Sequence, residues 1–411
     1  MKKEVVVIGA GIAGTCTAVQ LALRGHSVTL LDRKSPGRET SYGNAGVIQR
    51  DAVEPAGFPQ DWGILLRAAF KIGARVSYHG GALPGMVPIL ARYWSNSRPA
   101  PHAAVAKSHS RLIEHCLTEH GALIAMSGAD DLIKREGYRY VYRKPETMER
   151  QFKRAQRYAR EYGVRFSLED SAAIAALEPA LRLPVAGALH WLDAWTVNDP
   201  GALVGRYADL LARHGGRVVL GDAETLQQAG KGWRVESDAG RIEAEQAVIA
   251  MGPWSADYAK RLGYRFPLIP IRGYHCHYDG PGPALPTVDV DGGYMVSPMQ
   301  RGSRITTGGE FGHLEAPSTP VQLARAEKLA RDLFGLGERV EATPWRGARP
   351  CMVDLRPVMG PAPRHPGLWF NFGHAHQGFT LGPVAGRLVA EMMEGGPTFV
   401  DPAPYAPARF D

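Results

Sequence analysis

The chain has 411 residues, 45% hydrophobic and 22% charged, a balance that supports about two or three packed domains and excludes a disordered, collagen-like or coiled-coil protein. With 48 Lys and Arg against 41 Asp and Glu, the net charge of +7 favours anionic ligands, but it is too diffuse to predict nucleic-acid binding. The 4 cysteines have no CxxC spacing, which excludes a zinc or iron–sulfur centre built by this chain alone and predicts a reducing compartment, the cytoplasm.

Met1-Lys2-Lys3 and the uncharged stretch that ends at Leu23 have the outline of a secretory signal, but the local pattern reads differently. Val5-Val6-Val7-Ile8 is β-branched strand material, and Gly9-Ala10-Gly11-Ile12-Ala13-Gly14 is a glycine turn. Thr15 to Arg24 has helical spacing with Gly25 as its stop, and His26 to Leu31 is a second strand ending in Asp32. An acid 18 positions after the last glycine completes a dinucleotide-binding fingerprint. Gly9 permits the tight turn, Gly11 lets the backbone approach a pyrophosphate, and Gly14 lets helix and strand pack closely. The helix start at Ile12 and Ala13 then offers N–H groups to phosphate, and Asp32, followed by Arg33, accepts from ribose hydroxyls.

A single GxGxxG predicts one dinucleotide site. NAD there implies a hydride shuttle to a small substrate, whereas FAD implies that electrons come from the substrate and leave to oxygen, a quinone or a partner protein. After Arg33, the small, glycine-rich Ser41-Tyr42-Gly43-Asn44-Ala45-Gly46 and Val47 could lie against a flat ring with backbone amides exposed.

Further along, Trp62-Gly63-Ile64-Leu65-Leu66 and Met86 to Trp94 are apolar with basic neighbours, a composition that fits core packing and also a peripheral contact with an anionic membrane face. Arg150, Lys153, Arg154, Arg157 and Arg160 form one stripe of a helix and Met148, Phe152, Ala155 and Ala159 another, which predicts a solvated outer face. A helix starts at Asp199-Pro200, a strand covers Arg217 to Leu220, and a hairpin runs through Trp233 to Ile242. A buried strand, Ala247 to Ala250, then enters a turn at Gly252. Leu268 to Tyr278, Gly293 to Pro298 and Ser303 to Gly308 read as antiparallel strands, Gly367 to Phe372 as a strand and Gly382 to Met393 as a helix. The pairs His374/His376 and His275/His277 lack a third ligand, so no metal site is predicted. Arg272 to His277 is unusually polar for a strand, and the sequence assigns it no role.

VIGAGIAG at the N-terminus, the segment 41–46, Gly293-Tyr294-Met295-Val296-Ser297-Pro298 with Arg304 to Gly309, and Trp345-Arg346-Gly347-Ala348-Arg349-Pro350 with Leu368 to His374 together resemble the FAD-dependent D-amino acid dehydrogenases, within the D-amino acid oxidase, glycine oxidase and sarcosine oxidase superfamily. The resemblance covers essentially the whole chain. It implies an α/β fold: a Rossmann-type FAD-binding domain, discontinuous over 1–75, 196–257 and 340–411, and an α+β substrate domain with an antiparallel sheet over 76–195 and 258–339. The implied reaction is oxidative deamination of a D-amino acid, D-proline or D-hydroxyproline among the candidates, with electrons passed to a quinone or protein acceptor. Arg349 of Gly-x-Arg-Pro would bind the substrate carboxylate, assisted by the Tyr294 hydroxyl, and His376 would face the substrate. Ser41 to Val47, Ala250, Gly252, His374, Gln377, Gly378, Phe379 and Thr380 would lie around the FAD. Where many members carry Thr-Pro-Asp after Arg-Pro, this chain has Cys351-Met352-Val353-Asp354, and a cysteine there raises covalent flavin attachment. An oxygen-using glycine or sarcosine oxidase is the alternative within the class, and a nucleotide-binding subunit without turnover the alternative outside it.

Overall fold

The computed structural model describes residues 2–61, 63, 65–66, 76–79, 81 and 83–411. The expected strand, turn and helix at the N-terminus form Glu4–Ile8 and Ile12–Leu23, followed by the strand Ser27–Asp32. Glu4–Ile8 is central in a six-stranded sheet. Ser27–Asp32 and then Arg217–Leu220 lie on one side of it, and Gln246–Ile249, Leu368–Phe372 and Val358–Pro361 on the other. All pairs are parallel except the last, the strand order of a doubly wound dinucleotide fold.

The continuous apolar run Val5 to Ile8 follows from burial on both faces. Val5 and Val7 pack with the helix side, whereas Val6 and Ile8 pack with Trp233, Val235 and Ile242 of a three-stranded antiparallel sheet. All four are at most 2% exposed, and each contributes about 1.5–3 kcal/mol of burial. The first helix lies against the C-terminal helix Gly378–Glu394, which begins four residues before the expected Gly382. A Cβ on Gly386 would come within 2.7 Å of the Cys16 carbonyl carbon, so glycine permits this close crossing. The expected helix start at Asp199-Pro200 is present: Asp199 accepts from the Ala202 amide at 2.9 Å and caps Pro200–Arg213.

The second sheet has ten strands among the described residues and is mostly antiparallel, with Leu268–Tyr278 third from one edge, paired to Gly302–Thr307 and Gly309–Phe311. Trp345–Met352 also pairs with Leu268–Tyr278 along its length, although sequence placed it with the nucleotide-binding part. Helices Pro99–Glu114 and Cys116–Ser127, expected with the substrate part, pack instead on the C-terminal helix, where His120 bonds the Phe379 carbonyl at 2.9 Å and Glu119 pairs with Arg387 at 2.7 Å. An amphipathic face needs a partner, and here the nearest apolar one belongs to the other part of the chain.

On helix Pro145–Tyr162, Arg150, Lys153, Arg154 and Arg160 are exposed, while Arg157 forks onto Glu54 at 2.6 and 3.0 Å. Trp62 and Ile64 lie outside the described residues. Among those described, no helix is long and apolar enough to cross a membrane.

Candidate active site

A cleft of about 460 Å³ runs from the carboxyl ends of the parallel strands to the face of the large sheet. At one end the glycine turn lines it. Gly9 has φ +107, a left-handed value that favours glycine, and its Cβ would sit 2.5 Å from Ala250 O. A Cβ on Gly14 would run into Gly9 O, so Gly14 serves helix–strand packing and does not itself line the cleft. Gly11 caps the first helix without a side-chain bond, and no acid occupies the first turn. Ile12 N donates to Ser41 Oγ at 2.9 Å, so Ala13 and Gly14 carry the remaining first-turn amides toward an anion. Asp32 accepts from Ala10 N at 2.6 Å and Lys34 N at 3.2 Å, and burial raises its carboxyl above the usual range. Arg33 lines the same end and stacks on Trp254 at 4.5 Å.

Ser41, Asn44, Ala45, Val47, Ala250 and Gly252 also line the cleft. Gly46 does not; it holds φ +71 while Asn44 Oδ1 accepts from its amide at 2.8 Å. His374, His376, Gly378 and Phe379 also line it. Between the histidines, Ala375 holds φ 50, a left-handed strain worth about 1–2 kcal/mol. Burial lowers the His374 imidazole to about 4, and its Nε2 is buried without a hydrogen-bond partner among the described residues. The ring of His376 opens to the cleft, but the surrounding protein and then the Arg349 charge lower it to about 3, so both rings are neutral at pH 7.

Arg349 stands on the cleft face of Trp345–Met352. Its guanidinium lies over Gly273, where a Cβ would come within 2.7 Å of Nη1, and it donates to Thr307 O at 3.0 Å and Gly308 O at 3.1 Å. Among the described residues no carboxylate is within ion-pair distance of it. The cleft carboxylates Asp32, Glu39, Asp222 and Glu224 all lie at or just beyond the ends of Ser27–Asp32 and Arg217–Leu220, at the opposite end.

Four further expectations are corrected, at Tyr294, Gln377, Thr380 and Cys351. The Tyr294 hydroxyl faces away from the cleft, next to Asp289 and 3.5 Å from Arg143 Nη2. Strand alternation turns the side chains of Met295, Thr306 and Val288 to the cleft, while Tyr294, which still borders it, sends its ring to the face covered by helix Val321–Phe334. Gln377 donates to Gln49 Oε1 at 3.1 Å and Thr380 Oγ1 accepts from Gln49 N at 3.1 Å, so both support the wall from behind. Cys351 is 1% exposed, with its thiol raised to about 12 by burial, and it does not line the cleft.

Sequence reasoning missed Trp345, Gln49, Asn371, Thr306 and the turn 222–224. Trp345, Thr306 and Asn371 lie inside quoted motifs and so carried a signal, whereas Gln49 and the turn 222–224 did not. Gln49 is fixed from below: its Nε2 donates to the Tyr138 hydroxyl at 2.8 Å, which donates to Asp51 Oδ2 at 2.7 Å. Asp51 is 6% exposed, and burial raises its carboxyl from 3.8 to about 6, with the Tyr138 bond working against that. A raised folded pKa gives stability that is complete below the unfolded value and lost as pH rises through about 6, at most about 3 kcal/mol for this shift. Asp51→Asn keeps an acceptor for Tyr138, so it is expected to raise the melting temperature above that window and to leave it near wild type below. An equal change on both sides would count against this account.

These elements fit FAD: a cradle that only glycine permits, free helix amides, an acid for ribose, and the orphaned buried atoms Asn371 Oδ1, Thr306 Oγ1 and His374 Nε2 along the cleft. Residues 4–392 match the FAD dependent oxidoreductase (DAO) family, and the chain belongs to it. It is 29% identical to a D-amino-acid oxidase of Bradyrhizobium diazoefficiens (99% of each chain) and 30% identical to a D-amino acid dehydrogenase of Cereibacter sphaeroides (99% of this chain, 95% of the relative). In fold it is similar to glycine oxidase from Geobacillus kaustophilus, with a TM-score of 0.73 at 20% identity over 98% of each chain. The protein is therefore an FAD-dependent oxidoreductase with the DAO fold.

Proposed function

We propose that the protein oxidises a D-amino acid, cyclic secondary ones such as D-proline and D-hydroxyproline included, to the imino acid and passes the electrons to a quinone or protein acceptor. The observation that carries this reading is Arg349, a cleft-facing guanidinium held by two carbonyls with no carboxylate partner among the described residues. Its planar fork matches both oxygens of a substrate carboxylate. The D configuration is supported by the names of the relatives.

FAD, when bound, supplies the two-electron acceptor for the hydride that leaves Cα. The chain's own residues position the substrate. Arg349 anchors the carboxylate, and neutral His376 stands beside it without adding charge. No carboxylate of the described residues lies in this half to hold an ammonium, so the amine is bound neutral. Its lone pair forms the C=N bond as the hydride departs, and the remaining N–H proton leaves to water. Water then hydrolyses a primary imine to the keto acid and ammonia.

Anaerobic titration of the yellow protein with D-, L- and N-substituted amino acids tests this. Bleaching by D-amino acids and not by their L forms is expected, with slow recolouring in air if the acceptor is not oxygen. Bleaching only by glycine or sarcosine with fast recolouring would favour the oxygen-using oxidase, and no bleaching by any amine would overturn the substrate class.

A further inference from the structure

The polar strand segment His275-Cys276-His277 acquires a purpose from what lies across it. His277 pairs in register with Arg304 of Gly302–Thr307, and both are buried, at 0% and 3% exposure. Arg304 makes no ion pair among the described residues. Its Nη1 donates to two backbone carbonyls, Tyr42 O at 2.9 Å and Asn44 O at 2.6 Å, and its guanidinium lies 5.4 Å from the centre of the Tyr42 ring. Its Nε donates to His277 Nε2 at 3.0 Å. Because a guanidinium only donates, His277 Nε2 is the acceptor; its proton is then on Nδ1, which donates to Glu341 Oε1 at 2.6 Å. A second oxygen of Glu341 accepts from the His277 amide at 2.8 Å, which fixes the carboxylate.

We propose that Arg304, oriented by the Glu341–His277 pair, is a positioning residue that clamps the segment 41–46 so that the Gly43 and Ala45 amides face the flavin. A trans peptide points its N–H opposite to its C=O, so holding the carbonyls of Tyr42 and Asn44 on the Arg304 side turns the next amides, Gly43 N–H and Ala45 N–H, the other way. Both residues line the cleft. The clamp also joins the two halves of the molecule, since Arg304 belongs to the large sheet and the segment leads out of the nucleotide-binding one. Two oriented N–H groups would favour negative charge on the bound ring, which rests on the FAD reading above.

The test is amide hydrogen exchange of the full-length protein, with and without added FAD, in Arg304→Lys, His277→Leu and His277→Gln. Exchange at Gly43 and Ala45 is expected to rise about tenfold in the first two, the loss of one or two charge-assisted bonds, while Gly302–Thr307 stays protected. Where FAD is bound, its visible band and midpoint potential shift and kcat falls, with KM for the amino acid unchanged. Gln places an amide oxygen where His277 Nε2 stood, so that variant is expected to recover most of the wild-type exchange and spectrum. If Arg304→Lys does not fold, Glu341→Ala at the half-exposed end carries the same expectation with a smaller change. Unchanged exchange in a folded Arg304→Lys or Glu341→Ala protein overturns the clamp even if FAD binds normally. Increased exchange in a protein that never takes up FAD keeps the clamp and overturns the cofactor reading.

Discussion

Gly11→Val is expected to give a folded protein that retains no FAD. Gly11 has φ −72 and ψ 177, extended backbone that valine accepts, and a Cβ there meets only Ser41 Oγ, at 3.4 Å. The fold therefore tolerates the side chain, but the isopropyl group fills the space in front of the Ala13 and Gly14 amides where a pyrophosphate must come. Gly14 provides the contrast, since a Cβ there runs into Gly9 O and any side chain damages the packing itself. Added FAD at about 100 times its dissociation constant stabilises the wild type by roughly 2.7 kcal/mol, whereas Gly11→Val gains nothing in a melting experiment. A Gly11→Val protein that purifies yellow would refute the placement of the pyrophosphate.

Arg349→Ala is expected to keep FAD and to lose the substrate. The guanidinium bonds Thr307 O and Gly308 O, not the glycine turn or the segment 41–46, so the cofactor's contacts remain. A forked Arg–carboxylate pair is made of two charge-assisted bonds, and losing it costs about 3–4 kcal/mol, roughly 100- to 1,000-fold in kcat/KM. Most of that falls on KM, because the carboxylate is held alike in the bound and reacting substrate. Arg349→Lys keeps the charge without the fork and is expected to fall between the two. An unchanged KM in the flavin-loaded variant would remove Arg349 from the site.

The cofactor end of the molecule was legible because its information is local. Strand, glycine turn, helix, strand and acid follow one another from Glu4 to Asp32, and the cap at Asp199-Pro200 is equally short-range. The substrate end was legible only in part. Arg349 presents its guanidinium to the cleft where its motif implies, whereas Tyr294, on a strand that was correctly expected, borders the cleft but turns its hydroxyl away toward Asp289 and Arg143. Alternation along a strand shows that two faces exist. Which face meets the cleft depends on the layer that covers the other, here the helix Val321–Phe334.

Sequence alone thus determined the dinucleotide half, the order of its strands' signals and the arginine that faces the cleft. Tertiary structure decided the rest: that Trp345–Met352 joins the large sheet, that helices Pro99–Glu114 and Cys116–Ser127 back the nucleotide-binding part, and that Asp51 supports Gln49 through Tyr138. It also decided that Arg304 reaches Asn44 across 260 residues of chain. Such contacts have no periodicity to read, because they arise only when separate layers are brought together and buried polar groups must find partners there.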